Sequence, residues 1–154
     1  MNFTIRNADN RDTAKVRALV ENVLHEFGLA IDPDGIDADL DDIEANYTAR
    51  GGLFRIAEDE TQRIVGCVGL HPVNAADIEL RKMYLLPCAR GQGLGLRLLD
   101  ECIAAARQRR YRRVILETAS VLEKAIALYE AAGFARIPRD VSTDRCDQAW
   151  ALDL

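Results

Sequence analysis

Alternate glycines at Gly91, Gly93 and Gly95 constrain the fold of this chain more than any other feature of its sequence. They follow a strand-like segment that Pro87 ends, because proline cannot donate a hydrogen bond to a sheet. Apolar residues then recur with the 3.6-residue period of a helix, at Leu96, Leu99, Cys102, Ile103 and Ala106. A turn without side chains that opens a helix directs free backbone N–H groups and the positive end of the helix dipole toward one point. The sequence therefore predicts a phosphate-binding site.

The segment before the glycines is predicted to be a strand over residues 79–85. Strict alternation places Leu80, Lys82 and Tyr84 on one face, and Glu79, Arg81, Met83 and Leu85 on the other. Further strands and helices are predicted on both sides of it, including a helix that Ser120 and Glu123 would open as a capping box.

The glycine spacing distinguishes among three phosphate-binding motifs. A dinucleotide fingerprint needs glycine at its first, third and sixth places, and Leu96 occupies the sixth place counted from Gly91. Glu117 stands roughly where a ribose-binding acid would be, but a single carboxylate at a strand end is common. The P-loop also fails, because no Gly-Lys-Ser/Thr follows. The pattern that fits is Arg90-x-x-Gly93-x-Gly95 after "MYLLP".

With this pattern the chain resembles the GNAT superfamily of acyl-CoA-dependent N-acetyltransferases, and "AIALYEAAGF" at residues 125–134 resembles the next helix of that family. The resemblance covers nearly the whole chain and implies one N-acetyltransferase domain over residues 1–154. It implies an α/β fold with a mixed, mostly antiparallel central sheet flanked by helices and splayed at its central strands. Acetyl-CoA would enter the gap as co-substrate, and no metal would be needed.

The resemblance also implies which residues bind the cofactor. Met83 and Leu85 would present backbone groups to the pantetheine arm and to the thioester carbonyl. The pyrophosphate would be held by Arg90 and by the glycine turn, which consists of Gly91, Gln92, Gly93, Leu94, Gly95 and Leu96. Many family members carry an asparagine contact to CoA where this chain has Leu122, so a side-chain contact there is in doubt.

Two residues are candidates for catalysis. Direct attack by an amine on a thioester requires that the amine lose a proton and that the departing thiolate gain one. Tyr129 matches the family tyrosine that protonates the sulfur, and the alternative role is a core aromatic. Glu79 matches the position at which some members carry a general base, and the alternative there is a solvated carboxylate at a strand start.

Composition indicates an ordinary globular protein, with 49% hydrophobic and 29% charged residues. The net charge of −5 argues against nucleic-acid or anionic-membrane partners. The N-terminal residues do not resemble a signal peptide, so we expect a cytoplasmic protein. The four cysteines show no zinc spacing. A homodimer is left open.

Seven acidic residues and no basic one lie between Asp32 and Glu44. They form either a solvated face or a surface that attracts a cationic acceptor, because in the resembling family this region borders the acceptor site. The second interpretation predicts a small, positively charged amine as acceptor. The competing function is a non-catalytic acyl-CoA-binding sensor or interaction module, which would need the glycine turn but not Tyr129.

Overall fold

A computed structural model describes residues 2–154 and contains one seven-stranded mixed sheet in the order β1-β2-β3-β4-β5-β7-β6. The strands are β1 Thr4–Asn7, β2 Leu53–Glu58, β3 Ile64–Pro72, β4 Asp77–Leu85, β5 Arg113–Thr118, β6 Ala135–Arg136 and β7 Gln148–Asp153. The helices are α1 Thr13–Glu26, α2 Ile43–Asn46, α3 Leu94–Gln108 and α4 Glu123–Ala131. Within residues 2–154, only the pairing of β4 with β5 is parallel.

The helices cover both faces of the sheet. A Cβ built on Gly69 of β3 would lie 2.7 Å from the ring of Tyr47, which follows α2, so α2 lies on that face. A Cβ built on Gly66, three residues earlier in β3, would lie 3.6 Å from Leu98 of α3, so α3 lies on the opposite face. Because successive strand residues alternate between faces, these two glycines allow both helices to pack closely against the centre of the sheet.

The sheet opens between β4 and β5. These strands pair only at residues 77–79 and 113–115. Each strand continues beyond the paired segment, β4 to Leu85 and β5 to Thr118. Backbone groups along both edges therefore face a gap instead of a neighbouring strand. The predicted fold, a mostly antiparallel sheet that is splayed at its central strands, is confirmed.

A bulge in β4 corrects the predicted alternation. Arg81 pairs with Gly69 and Tyr84 pairs with Cys67, so Lys82 and Met83 together oppose the single residue Val68. Lys82 has a φ of 56°, in the left-handed region. One extra residue shifts the alternation after it. Tyr84 therefore lies on the α2 face of the sheet with Glu79 and Arg81, whereas strict alternation had placed it with Leu80.

Two details of the predicted helices were wrong. Leu96, placed on the buried stripe of α3, is 48% exposed, because the helix begins at Leu94 and buries Leu94 and Leu98 instead. Ser120 does not cap α4; it donates a hydrogen bond to Asp147, and α4 starts after Leu122 without a side-chain cap. Leu96 is therefore an exposed apolar residue at the end of the glycine turn.

Candidate active site

The glycine turn, residues 91–96, presents a row of free backbone donors. Gly91 and Gly93 have φ values of 73° and 82°, which other residues rarely adopt. The N–H groups on either side of the turn are bonded: Arg90 donates to the Pro87 carbonyl, and Arg97 donates to the Gly93 carbonyl. Between them, none of the six N–H groups of residues 91–96 meets an acceptor within residues 2–154. This geometry is typical of a site for phosphate oxygens.

The side chain of Arg90 is committed to holding the turn in place. Its Nε and Nη2 atoms donate to the Leu85 carbonyl at 3.1 and 2.8 Å. Its guanidinium also forms an ion pair with Glu26 at 2.6 Å and lies 5.4 Å from the ring centre of Phe27. Arg90 thus ties the turn to the end of β4 and to α1. If Arg90 contributes to phosphate binding, it does so through the part of its positive charge that Glu26 does not neutralise.

Leu85 directs its backbone into the gap between β4 and β5. The N–H of Leu86 donates to the Val65 carbonyl of β3 at 2.8 Å. Because backbone groups of successive strand residues point in opposite directions, those of Leu85 point away from β3. The Leu85 carbonyl already accepts hydrogen bonds from Arg90, so the group of Leu85 available to contact a pantetheine arm is its N–H.

Two cavities meet in the gap. The first has a volume of about 240 Å³ and lies among Glu79, Arg81, Glu117, Tyr129 and Arg145. The second has a volume of about 280 Å³ and extends from the gap to the glycine turn. Four residues line both cavities: Met83, Tyr84, Leu122 and Ala125. We name the cavities after the roles that we propose for them: the second is the cofactor cavity and the first is the acceptor cavity.

Tyr129 lines the acceptor cavity from α4. Its side chain is 5% exposed, and its ring centre lies 5.7 Å from that of Phe134. Burial raises the pKa of the hydroxyl well above its usual value, with smaller contributions from Tyr84 and Cys102. The hydroxyl therefore stays protonated at neutral pH, as an acid must before it transfers its proton.

Glu79 lies in the acceptor cavity with its carboxylate held by Arg81, whose Nε donates to Oε1. The residue is only 6% exposed. Among the described residues no donor contacts the second oxygen, Oε2. The ion pair fixes the carboxylate and leaves one oxygen able to accept a proton from the cavity.

Glu117 is the second carboxylate of the acceptor cavity. It accepts hydrogen bonds from the backbone N–H and the hydroxyl of Ser142, at 2.7 Å for the latter, and so fixes the loop between β6 and β7. Within residues 2–154 it forms no ion pair with a basic side chain. It contributes negative charge that neighbouring cations do not directly neutralise.

A buried charge cluster lies at the far side of the acceptor cavity: Lys82 and Arg145 line the cavity, and Asp37 lies behind them. We call these three residues the acceptor wall. Asp37 accepts from Arg145 at 2.6 and 3.0 Å and forms an ion pair with Lys82 at 2.8 Å. Burial alone would raise the pKa of Asp37. The hydrogen bonds from Arg145, from the Asp32 backbone and from Lys82 outweigh it and lower this pKa to about 2.

The acceptor wall changes the interpretation of the acidic segment, residues 32–44. Asp37 is fully buried, and Asp39 accepts from the hydroxyl of Tyr47. Asp41 pairs with Arg17, and Asp42 caps α2. No acidic residue of the segment lines the acceptor cavity, although Ile36 does. Much of the segment is neither a freely solvated face nor part of the cavity surface.

Sequence reasoning missed the acceptor wall and Tyr84. Arg145 lies in a segment that carried only loop signals, and its partner Asp37 is 108 positions away in the chain. Local spacing contains no information about such a pair. One signal for Tyr84 was available: strict alternation placed the charged Lys82 on the same face as the apolar Leu80, and a bulge at Lys82 would change the alternation after it.

Residues 18–134 match the acetyltransferase (GNAT) family. The chain belongs to the GNAT family of N-acetyltransferases. It is similar to the uncharacterised N-acetyltransferase YjgM of Escherichia coli, at 34% identity over 138 residues, which are 86% of this chain and 82% of that protein. The predicted family membership is confirmed.

Solved structures agree with this GNAT assignment. A GNAT-family acetyltransferase from Staphylococcus aureus superposes with a TM-score of 0.93 at 25% identity, covering 99% of both chains. An acetyltransferase from Salmonella typhimurium, solved with its cofactor acetyl-CoA, has the same fold, with a TM-score of 0.73 at 22% identity. That alignment covers 99% of this chain and 94% of the other.

Two further observations concern residues 2–154. None of their helices combines the length and the apolar character that crossing a bilayer requires. Nor do these residues contain a group of three or more His, Cys, Asp and Glu side chains placed to bind a metal ion.

Proposed function

We propose that this GNAT-family enzyme transfers an acetyl group from acetyl-CoA to a primary amine by direct attack, within one N-acetyltransferase domain over residues 1–154. The observation that carries the proposal is the continuity of the two cavities. Free N–H donors lie at one end, a buried carboxylate and a buried tyrosine lie at the other, and four residues line both cavities. A cofactor and an acceptor entering from opposite ends would meet at these four residues.

The cofactor cavity fits acetyl-CoA. Its six unbonded N–H groups suit the pyrophosphate, and Val23, Phe27, Leu96 and Leu128 supply apolar surface for the pantetheine arm. Met83 and the N–H of Leu85 lie along the path of the arm. The acetyl-CoA complex of the Salmonella typhimurium protein, which shares the fold, supports the same cofactor for this chain.

We infer that Glu79 is the base and Tyr129 the acid. Glu79 takes a proton from the ammonium group of the acceptor, directly or through one water molecule, and the free amine then attacks. Tyr129 gives its proton to the sulfur as the carbon–sulfur bond breaks. Fixed groups of this kind typically contribute about 10²- to 10⁴-fold to the rate.

The acceptor we propose is a small, positively charged amine. The acceptor cavity, at about 240 Å³, lies below the usual range for drug-sized ligands, roughly 300–1,000 Å³. Glu117 supplies an uncompensated negative charge inside the cavity. A primary amine with a pKa near that of lysine, about 10.4, is a cation at neutral pH and would be attracted to this carboxylate.

A screen of acetyl-CoA consumption against a panel of amines tests the proposal. We expect turnover with at least one small cationic amine. Binding of acetyl-CoA without acetylation of any small amine or peptide amine would favour the sensor function instead. Turnover only with anionic or neutral acceptors would contradict the proposed charge of the acceptor while leaving acetyl transfer intact.

The pH dependence of the best reaction tests Glu79. A base-assisted rate falls at acidic pH, and if Glu79 is the base, Glu79→Gln should lower the rate about 10²-fold and remove that acidic limb. Asp77→Asn is a suitable control, because Asp77 lies on the same strand but pairs with Arg113 outside the cavity. Identical profiles in wild type and Glu79→Gln would exclude Glu79 as the base.

A further inference from the structure

Tyr84 is the polar residue at the junction of the two cavities. Of the four residues that line both cavities, Met83, Leu122 and Ala125 have apolar side chains, and only Tyr84 carries a hydroxyl. The reacting thioester must lie at this junction if the cofactor and the acceptor enter from opposite ends. The Tyr84 side chain is therefore close to the reacting atoms.

The two tyrosines reach the gap from opposite faces of the sheet. Tyr84 shares the α2 face with Cys67, because the bulge at Lys82 shifts the alternation. Tyr129 belongs to α4, which lies on the α3 face: a Cβ built on Gly95 of α3 would contact Leu128 of α4 at 3.4 Å. Thioester atoms that lie between the strands would have one tyrosine on each side.

The Tyr84 hydroxyl is available as a donor. It forms no hydrogen bond within residues 2–154, and the side chain is half-buried, which leaves it accessible from the cavity. Burial raises its pKa well above the usual value, and the nearby Arg145 only partly offsets this rise. The group therefore keeps its proton over the whole neutral range.

We propose that the Tyr84 hydroxyl donates a hydrogen bond to the carbonyl oxygen of the acetyl thioester and stabilises the negative charge that this oxygen gains during attack. This inference rests on the proposed acetyl transfer. Fixed donors aimed at an oxygen on which charge develops are among the strongest contributors to catalysis. Without the bulge, Tyr84 would lie on the opposite face of the sheet.

The chemical steps assign one tyrosine to each developing charge. As the amine nitrogen bonds to the carbonyl carbon, the π electron pair moves to the oxygen, and Tyr84 stabilises it without losing its proton. As the carbonyl re-forms, the carbon–sulfur bond breaks with its electron pair on sulfur. Tyr129 protonates the sulfur, and Glu79 holds the proton first taken from the ammonium group. The nitrogen releases its second proton to solvent as the amide forms, and exchange with solvent restores both residues.

The experiment measures the ¹³C resonance of acetyl-CoA labelled at the carbonyl carbon, and it needs no acceptor. In the wild-type complex we expect a downfield shift relative to free acetyl-CoA, because hydrogen-bond donation polarises the carbonyl. Tyr84→Phe should return the resonance toward its free position in a protein that still binds acetyl-CoA. Tyr111→Phe, the same chemical change outside both cavities, should keep the wild-type shift.

Three results would overturn the inference. One is a Tyr84→Phe complex with the wild-type carbonyl shift. Another is a shift that disappears in Tyr129→Phe but persists in Tyr84→Phe, which would reverse the two roles. In the third, the wild-type protein does not bind acetyl-CoA, which would overturn the proposed function as well.

Two additions make the experiment more robust. If Tyr84→Phe does not fold by circular dichroism, Tyr84→Met tests the same loss of a hydroxyl with a flexible side chain. Once an acceptor is known, Tyr84→Phe should lower kcat about 10²-fold. Equal kcat values for the wild type and Tyr84→Phe, in an assay in which the chemical step limits the rate, would also contradict the proposal.

Discussion

The glycine turn and the acceptor wall lie at opposite ends of the same gap and are built in different ways. The turn is local: positive φ values at Gly91 and Gly93, two residues apart, present a row of free backbone donors. The wall joins Asp37, Lys82 and Arg145 from distant parts of the chain through buried ion pairs. The glycine turn carries the family signature. The acceptor wall shapes the acceptor cavity, so we expect the specificity for the acceptor to arise at the wall.

The largest effect is expected where the two regions meet. Tyr129→Phe removes only a hydroxyl, so turnover should fall about 10²- to 10⁴-fold, the usual contribution of a general acid. The Kd for acetyl-CoA and the KM for the acceptor should both hold, because the residue acts on a charge that develops only during reaction. Tyr111→Phe is the matched control. Near-normal turnover, when chemistry limits the rate, would leave Tyr129 a core aromatic.

The next largest effect is expected in the acceptor wall. Asp37→Asn leaves Arg145 and Lys82 without their shared buried anion, and removal of one partner from such a pair typically costs about 3–5 kcal/mol of stability. Asp41→Asn, which breaks the exposed pair with Arg17, should cost about 0.2–1 kcal/mol. Denaturant titration measures both. If Asp37→Asn still folds, the KM for the acceptor should rise while acetyl-CoA affinity is unchanged.

The stability of the wild-type protein at acidic pH reports on the ionisation of Asp37 in the acceptor wall. The folded state holds the pKa of Asp37 at about 2, below the ordinary aspartate value of 3.8. The folded protein therefore binds fewer protons than the unfolded chain between these values, so the stabilisation is complete above about pH 4 and is lost as the pH falls toward 2. The loss should be about 2 kcal/mol and should be absent from Asp37→Asn. Parallel stability curves for the two proteins would contradict this assignment.

A smaller effect is expected at the glycine turn. Gly93→Val places a β-branched residue at a φ of 82° and should shift the N–H groups beside it, weakening acetyl-CoA binding at least about 10-fold by calorimetry. Gly51→Val is a close control, because Gly51 has a φ of 83° and an equally open Cβ position outside both cavities. The two variants should lose similar stability, and only Gly93→Val should lose affinity. Equal affinities would exclude the turn as the cofactor site.

The same contrast explains what the sequence could predict. The glycine turn and the order of strands and helices along the chain follow from short-range patterns, the splay was expected from the family resemblance, and the structure contains all three. The face on which Tyr84 lies depends on one inserted residue at Lys82, which a period-two pattern does not reveal. The acceptor wall depends on Arg145 reaching a carboxylate 108 positions away, and the acidic segment resembled surface because its partners lie elsewhere in the chain.

The smallest effect separates the two possible sources of attraction for a cationic acceptor. If the attraction comes from Glu117 inside the acceptor cavity, Glu117→Gln should lower kcat/KM several-fold and weaken its dependence on ionic strength. Glutamine can still accept from the Ser142 N–H, so the loop should stay in place. If it comes from the exposed acids of residues 32–44, Asp34→Asn and Asp41→Asn together should have that effect instead. Because much of that segment is engaged within the protein, we expect the Glu117 variant alone to change the salt dependence, and the opposite result would place acceptor attraction outside the cavity.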